Sequence, residues 1–109
     1  MGVTKQILKE GNGPMPSKGQ KVTVHCTGKL ADGKKFWSTK DPGQQAFTFA
    51  VGLGQVIRGW DEGVLGMKLG EVAELTCTGD YAYGASGFPA WGIGPNATLI
   101  FEIEVLSYA

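Results

Sequence analysis

Ile57-Arg58-Gly59-Trp60-Asp61-Glu62-Gly63-Val64-Leu65-Gly66-Met67 is the stretch whose apolar residues recur with a helical period, since Ile57, Trp60, Val64 and Met67 fall at i, i+3, i+7 and i+10. Arg58, Asp61 and Glu62 fall off that stripe and are expected to face water. The adjacent carboxylates Asp61 and Glu62 suit the positive end of a helix dipole and call for no catalytic role. Gly59 and Gly63 each cost such a helix ~1 kcal/mol relative to Ala, so burial of Trp60 must hold it together.

Outward from this stripe the period changes from 3.6 to 2. Val22, Val24 and Cys26 alternate with Thr23, His25 and Thr27, which marks a half-buried strand with the first set inward. Residues 3–8, 46–51, 71–78 and 97–106 read the same way, with Ala73, Leu75 and Cys77 on one inward face and Leu99, Phe101, Ile103 and Val105 on another. Turn chemistry separates them: Gly11-Asn12-Gly13-Pro14-Met15-Pro16, Lys18-Gly19-Gln20, Ala31-Asp32-Gly33-Lys34 before Phe36, and Lys40-Asp41-Pro42-Gly43. The class expected is α+β, an antiparallel sheet covered by one short helix. The 109 residues suffice for one domain, 1–109. Gly 18 and Pro 5 give turn residues in excess and leave little room for long helices.

Composition excludes several functions. A formal net charge of +0 lacks the attraction that binds duplex DNA or anionic membranes, and no run approaches the ~18 apolar residues of a bilayer span. The start has no signal-peptide pattern, so a cytoplasmic location is expected. Gln6 stands where N-myristoylation wants Ser or Thr, and Asn96-Ala97-Thr98 is an acceptor triplet without a secretory route. One histidine and two cysteines without Cys-x-x-Cys spacing predict no metal site and no cofactor. His25 lies on the polar face of its strand with no nucleophile placed beside it, and Gly52-Leu53-Gly54 lacks the spacing of a phosphate loop.

Aromatic residues dominate what remains. Phe36, Trp37, Phe47, Phe49, Trp60, Tyr81, Tyr83, Phe88, Trp91, Phe101 and Tyr108 could fill a small core. Residues 81–95, however, form an uncharged segment with Phe88, Trp91 and Ile93 in it, and a long loop of this kind reads as a cover over an apolar pocket. Parity turns Cys26 and Cys77 toward the same core, which leaves two readings open: a pair of buried free thiols, or a bond between them.

Three blocks in order, Val24-His25-x-Thr27-Gly28 with Asp32-Gly33-Lys34-Lys35-Phe36, then Val56-Ile57-Arg58-Gly59-Trp60-Asp61-Glu62-Gly63, then Asp80-Tyr81-Ala82-Tyr83-Gly84, resemble the FKBP-type peptidyl-prolyl cis/trans isomerases, or immunophilins. The resemblance covers essentially the whole chain and implies a five- or six-stranded antiparallel sheet wrapped around one short helix. It implies a catalytic set of Tyr83, Phe36, Trp60 and Phe101. Trp60 would be the floor under a substrate proline ring, walled by Phe36, Phe47, Val56, Ile57 and Phe101. Tyr83 would donate its hydroxyl to a carbonyl, and the Ile57 N–H would be a second donor. Cys26, Trp37, Gln55, Phe88, Trp91 and Ile93 complete the implied binding set. The partners implied are proline-containing peptides and proteins, and the macrolides tacrolimus and rapamycin with a phosphatase or kinase as third component, around a monomer.

Cys26 stands where well-known small members of the family have Tyr, and Trp37 where they have Asp, which implies reduced macrolide affinity. These features and Cys77 are similar to plant- and algal-type cytosolic members, and that likeness supports the Cys26–Cys77 bond. The competing function is a non-catalytic adaptor that uses the same pocket to bind proline segments or proteins. A β-barrel for single-stranded nucleic acid is a third reading, and it lacks the basic groove it would need.

Overall fold

The computed structural model describes residues 2–89 and 92–108. The period-2 segments are strands: β1 Val3–Lys9, β2 Lys21–Leu30, β3 Lys35–Ser38, β4 Phe47–Ala50, β5 Val72–Cys77 and β6 Leu99–Tyr108. The helical stretch is α1, Arg58–Leu65, between β4 and β5. All pairings are antiparallel, in the order β1-β5-β6-β2-β3, with β4 also paired to β2. Among the described residues, six strands and one α-helix match the α+β class expected.

The alternation in the sequence becomes the two faces of this sheet. Across its centre Val24 lies opposite Val105, Cys26 opposite Ile103, and Leu75 opposite Phe101, all buried, so that one face is continuously apolar. Helix α1 lies against that face and buries Trp60 and Val64. The stripe read from the sequence overruns the helix slightly: Ile57 is its N-cap, and Met67, fully buried, follows its end.

The two helix glycines have a packing reason that propensity alone does not supply. A Cβ on Gly59 would lie 2.3 Å from the Cys77 Sγ, and one on Gly63 would lie 2.7 Å from a Leu75 methyl. Only hydrogen fits where α1 approaches β5. The far end of the helix, with no basic residue in its last turn, borrows a cation from β1. The Lys5 Nζ donates to the Gly66 carbonyl at 2.7 Å and to Oε2 of the buried Glu71 at 3.0 Å, placing positive charge at the negative end of the dipole.

Two expectations are corrected here. Asp61 does not simply face water, because its carboxylate is bonded to the loop before the helix. Cys26 and Cys77 are both buried and both free. Cys26 pairs with Ile103 and Cys77 with Leu99, so the whole of β6 lies between them and their registers differ by four residues, about 13 Å along the strand. A disulfide needs Cα atoms within ~7 Å. Sharing an inward face is a matter of parity; bonding distance depends on strand order and register, which parity does not contain.

Candidate functional site

β3, β4, β6 and the start of α1 converge on an open pocket of ≈ 220 Å³, lined by Trp37, Phe47, Gln55, Val56, Ile57, Trp60, Tyr83 and Phe101. None of the lining residues carries a charge. Trp60, 3% exposed, is its floor. Phe101 and Phe47 stand edge-on to the indole at ring separations of 5.3 and 5.9 Å, while Trp37 lies tilted beside it at 6.2 Å and edge-on to Phe47 at 6.2 Å. Edge-to-face packing of this kind is favourable for aromatic quadrupoles and fixes the ring planes. The Trp60 Nε1–H is buried without a nitrogen or oxygen partner among the described residues, so the floor is apolar even around its one polar atom.

Gly28 sets the width of the far wall. A Cβ at this position of β2 would lie 2.6 Å from Phe36 Cζ and 3.0 Å from Phe101 Cε1. Its absence lets Phe36 and Phe101 meet edge-to-face at 5.9 Å. Phe36 thus supports Phe101 from behind instead of lining the cavity. Ser38 and Thr39 extend the same support: buried Thr39 accepts the Cys26 N–H at its Oγ1 (2.9 Å), contacts His25 Nδ1 (2.9 Å), and donates its own N–H to the Cys26 carbonyl (2.9 Å). His25 is therefore a half-buried strut on the outer face.

Besides Gln55, whose Oε1 is taken by the Ala50 N–H, the Tyr83 hydroxyl and the Ile57 N–H are polar groups at the pocket edge. Among the described residues nothing accepts from the Tyr83 hydroxyl, and burial first, then the nearby Cys26 thiol, hold its pKa above the usual tyrosine range, so it is a neutral donor at physiological pH. Ile57 precedes the first helical residue, and its N–H likewise finds no acceptor among the described residues.

Of the thirteen residues expected to bind, these eight line the cavity. Cys26, 1% exposed, lies in the core behind Tyr83, and its thiol is pushed up in pKa by burial, which leaves it unreactive. Phe88 flanks the pocket, stacked on Tyr83 at 5.3 Å and 37% exposed. Ile93 is buried and bridges to Phe88 through paired backbone bonds. Trp91 lies outside the described residues. The described part of the loop contains single 3-10 turns at Gly79–Tyr81 and Gly84–Ser86 and a bond from the Asn96 N–H to the Gly84 carbonyl at 2.8 Å. Asp61, Thr39 and Gly28 are the contributors that sequence reasoning missed; a lone Gly inside a β pattern was the available signal for the last.

Among the described residues no three His, Cys, Asp or Glu side chains gather as a metal site, and no helix is long and apolar enough to cross a membrane. The arrangement is a neutral, largely aromatic cradle with the Tyr83 hydroxyl and the Ile57 N–H open at its rim, dimensions and chemistry that fit an apolar ring next to a carbonyl. Residues 13–106 match the family model for FKBP-type peptidyl-prolyl cis-trans isomerases. The chain is 70% identical over 109 residues to the Vicia faba peptidyl-prolyl cis-trans isomerase FKBP12, covering 97% of each. It is 66% identical over 110 residues to the Arabidopsis thaliana protein of the same name, covering 98% of each, and 55% identical over 108 residues to FK506-binding protein 1A of Emericella nidulans, covering 97% of each. The chain belongs to the FKBP-type peptidyl-prolyl cis-trans isomerases.

Proposed function

We propose that the Trp60 pocket takes the proline ring of an Xaa-Pro segment and turns its amide between cis and trans without forming a bond. The barrier of ~18 to 20 kcal/mol comes from amide resonance, and the twisted amide at the top has lost that resonance and the charge separation that water solvates. An apolar cradle that strips water from the amide therefore disfavours the planar states more than the twisted one. Tyr83 and the Ile57 N–H hold the carbonyls that flank the ring, so that binding energy along the chain is spent on the twist. Trp60, Phe101 and Tyr83 touch the substrate in this reading, while Phe36 acts by supporting Phe101. Trp37 lines the side where a charged acceptor would otherwise stand, which favours uncharged residues beside proline.

The single observation that carries this reading is the uncharged, largely aromatic lining with the Tyr83 hydroxyl and the Ile57 N–H unfilled at its rim. Acceleration of cis/trans exchange in a short peptide with Leu before Pro, measured without a coupled protease, is the test; exchange no faster than in buffer refutes it. Macrolide binding is the further reading of the same pocket, supported by the name of the Emericella relative, an FK506-binding protein, with affinity lowered by Trp37. The exposed Phe88 beside the pocket is where a phosphatase or kinase would meet a macrolide-filled surface. Action in the cytoplasm as a monomer completes the proposal. The adaptor reading differs in one outcome: partner binding persists while peptide exchange stays at the buffer rate.

A further inference from the structure

Asp61 follows Trp60 on α1, and its carboxylate reaches back across the chain to the loop that enters the helix. Oδ1 accepts the Gly52 N–H at 2.9 Å and Oδ2 accepts the Gly54 N–H at 2.8 Å. Both glycines have positive φ, 81° and 76°, a conformation that L side chains rarely adopt, so the loop is shaped to present two N–H groups to one carboxylate. Gln55 closes the other side of the same loop, its Oε1 accepting the Ala50 N–H at 2.9 Å. Directly after these bonds come Gln55, Val56 and Ile57, one rim of the pocket, with the open Ile57 N–H. The N-cap of α1 is Ile57, with no side-chain cap bond, so no capping hydroxyl sets the angle at which the chain enters the helix.

We propose that Asp61 is a positioning residue for prolyl isomerisation, tying the loop at Gly52 and Gly54 to the helix so that the rim of residues 55–57 keeps a fixed height over the Trp60 floor. The inference rests on the isomerase reading of that pocket. Bonds from N–H groups to an ionised carboxylate are stronger than neutral ones, and both end on one residue of the helix that carries the floor. Without them the loop samples conformations in which the rim has moved away. Apparent affinity then falls by the fraction of molecules still competent, whereas a substrate once bound meets an unaltered cradle. The effect therefore belongs in KM and not in kcat.

The test compares wild type with Asp61→Ala, Asp61→Asn and Asp61→Glu in exchange kinetics of a Leu-Pro peptide over a range of concentrations, with amide exchange read at Gly52 and Gly54. For Asp61→Ala, KM rises about 10-fold with kcat within about twofold, as expected for a competent fraction near one tenth. Gly52 and Gly54 exchange faster, while β2, β5 and β6 stay protected. Asp61→Asn, with one acceptor oxygen, falls between, and Asp61→Glu recovers most of the wild-type KM. An unchanged KM in Asp61→Ala overturns the proposal, as does a loss of kcat accompanied by faster exchange throughout the sheet, or a Glu variant no better than Ala. If the Ala variant does not fold, the Asn and Glu variants decide alone. A wild type that leaves exchange at the buffer rate removes the isomerase reading and this role with it, whereas unaltered variants beside an active wild type remove only the role of Asp61.

Discussion

Gly28 sits beneath the crossing of Phe36 and Phe101, and one methyl there would have to displace a ring, because the nearest ring atom is 2.6 Å from its Cβ. A shift of Phe101 would change the pocket wall that this ring forms. Gly28→Ala should cost ~1 to 3 kcal/mol of stability as overpacking and weaken binding of proline peptides, read by urea denaturation and by titration. Tyr83→Phe keeps the ring that stacks on Phe88 and removes one donor. The expected loss in kcat/KM corresponds to ~0.5 to 1.5 kcal/mol, with the melting temperature unchanged, because no group of the described protein loses a partner. At this scale Trp60, Tyr83 and Phe101 were legible in the sequence through the resemblance of their motifs. Gly28 and Thr39 were not, since the need for a missing Cβ or a buried hydroxyl arises from what another strand puts beside it.

At the scale of elements, α1 would be a poor helix alone, at eight residues with two glycines. It persists because those glycines let it settle on β5. Gly59→Ala gains ~1 kcal/mol in propensity, yet its Cβ would stand 2.3 Å from the Cys77 Sγ, so a net loss of ~1 to 3 kcal/mol is expected in denaturation. Gly59→Ala combined with Cys77→Ala removes the sulfur and should recover part of that loss, a coupling that a double-mutant cycle measures. Strand and helix identities followed from periods of 2 and 3.6, and β1, β4, α1, β5 and β6 lie within two residues of their expected bounds, whereas β2 runs three residues past Thr27 and β3 is legible only as the segment after a turn. The separation of roles within the helix did not follow from periodicity: Asp61 is off the apolar stripe in sequence and is bonded to a loop in space.

Across the whole molecule the buried ionisable groups set the response to alkali. Burial raises the Cys77 thiol from 9.0 to about 12 and raises Cys26 as well; burial and then the charge of Glu71 raise Tyr108 from 10.0 to about 12. Each of these pKa values is higher folded than unfolded, so its contribution to stability is complete below the unfolded value and is lost as pH climbs to the folded one. Stability should therefore be level near neutrality and decline from about pH 9 toward 12, with Cys26→Ala and Cys77→Ala together flattening the first part of the decline, read by melting temperature against pH. The free thiols give a second outcome: reductant leaves the melt unchanged, and a thiol reagent finds two cysteines per chain only after unfolding.

By itself the sequence determined the class of the fold, the inward faces of β2, β5 and β6, the position of α1 and most of the residues that gather at the aromatic pocket. These follow from local periods and from residue patterns that survive without knowledge of neighbours. Only the tertiary structure decided that Phe36 stands behind Phe101, that Cys26 and Cys77 are kept apart by β6, and that Asp61 holds the loop below the pocket rim. The physical reason is that parity specifies which way a side chain points, whereas contact depends on strand order, register and the approach of one element to another. Those are long-range choices, made when β2, β5 and β6, far apart in sequence, come to share one sheet.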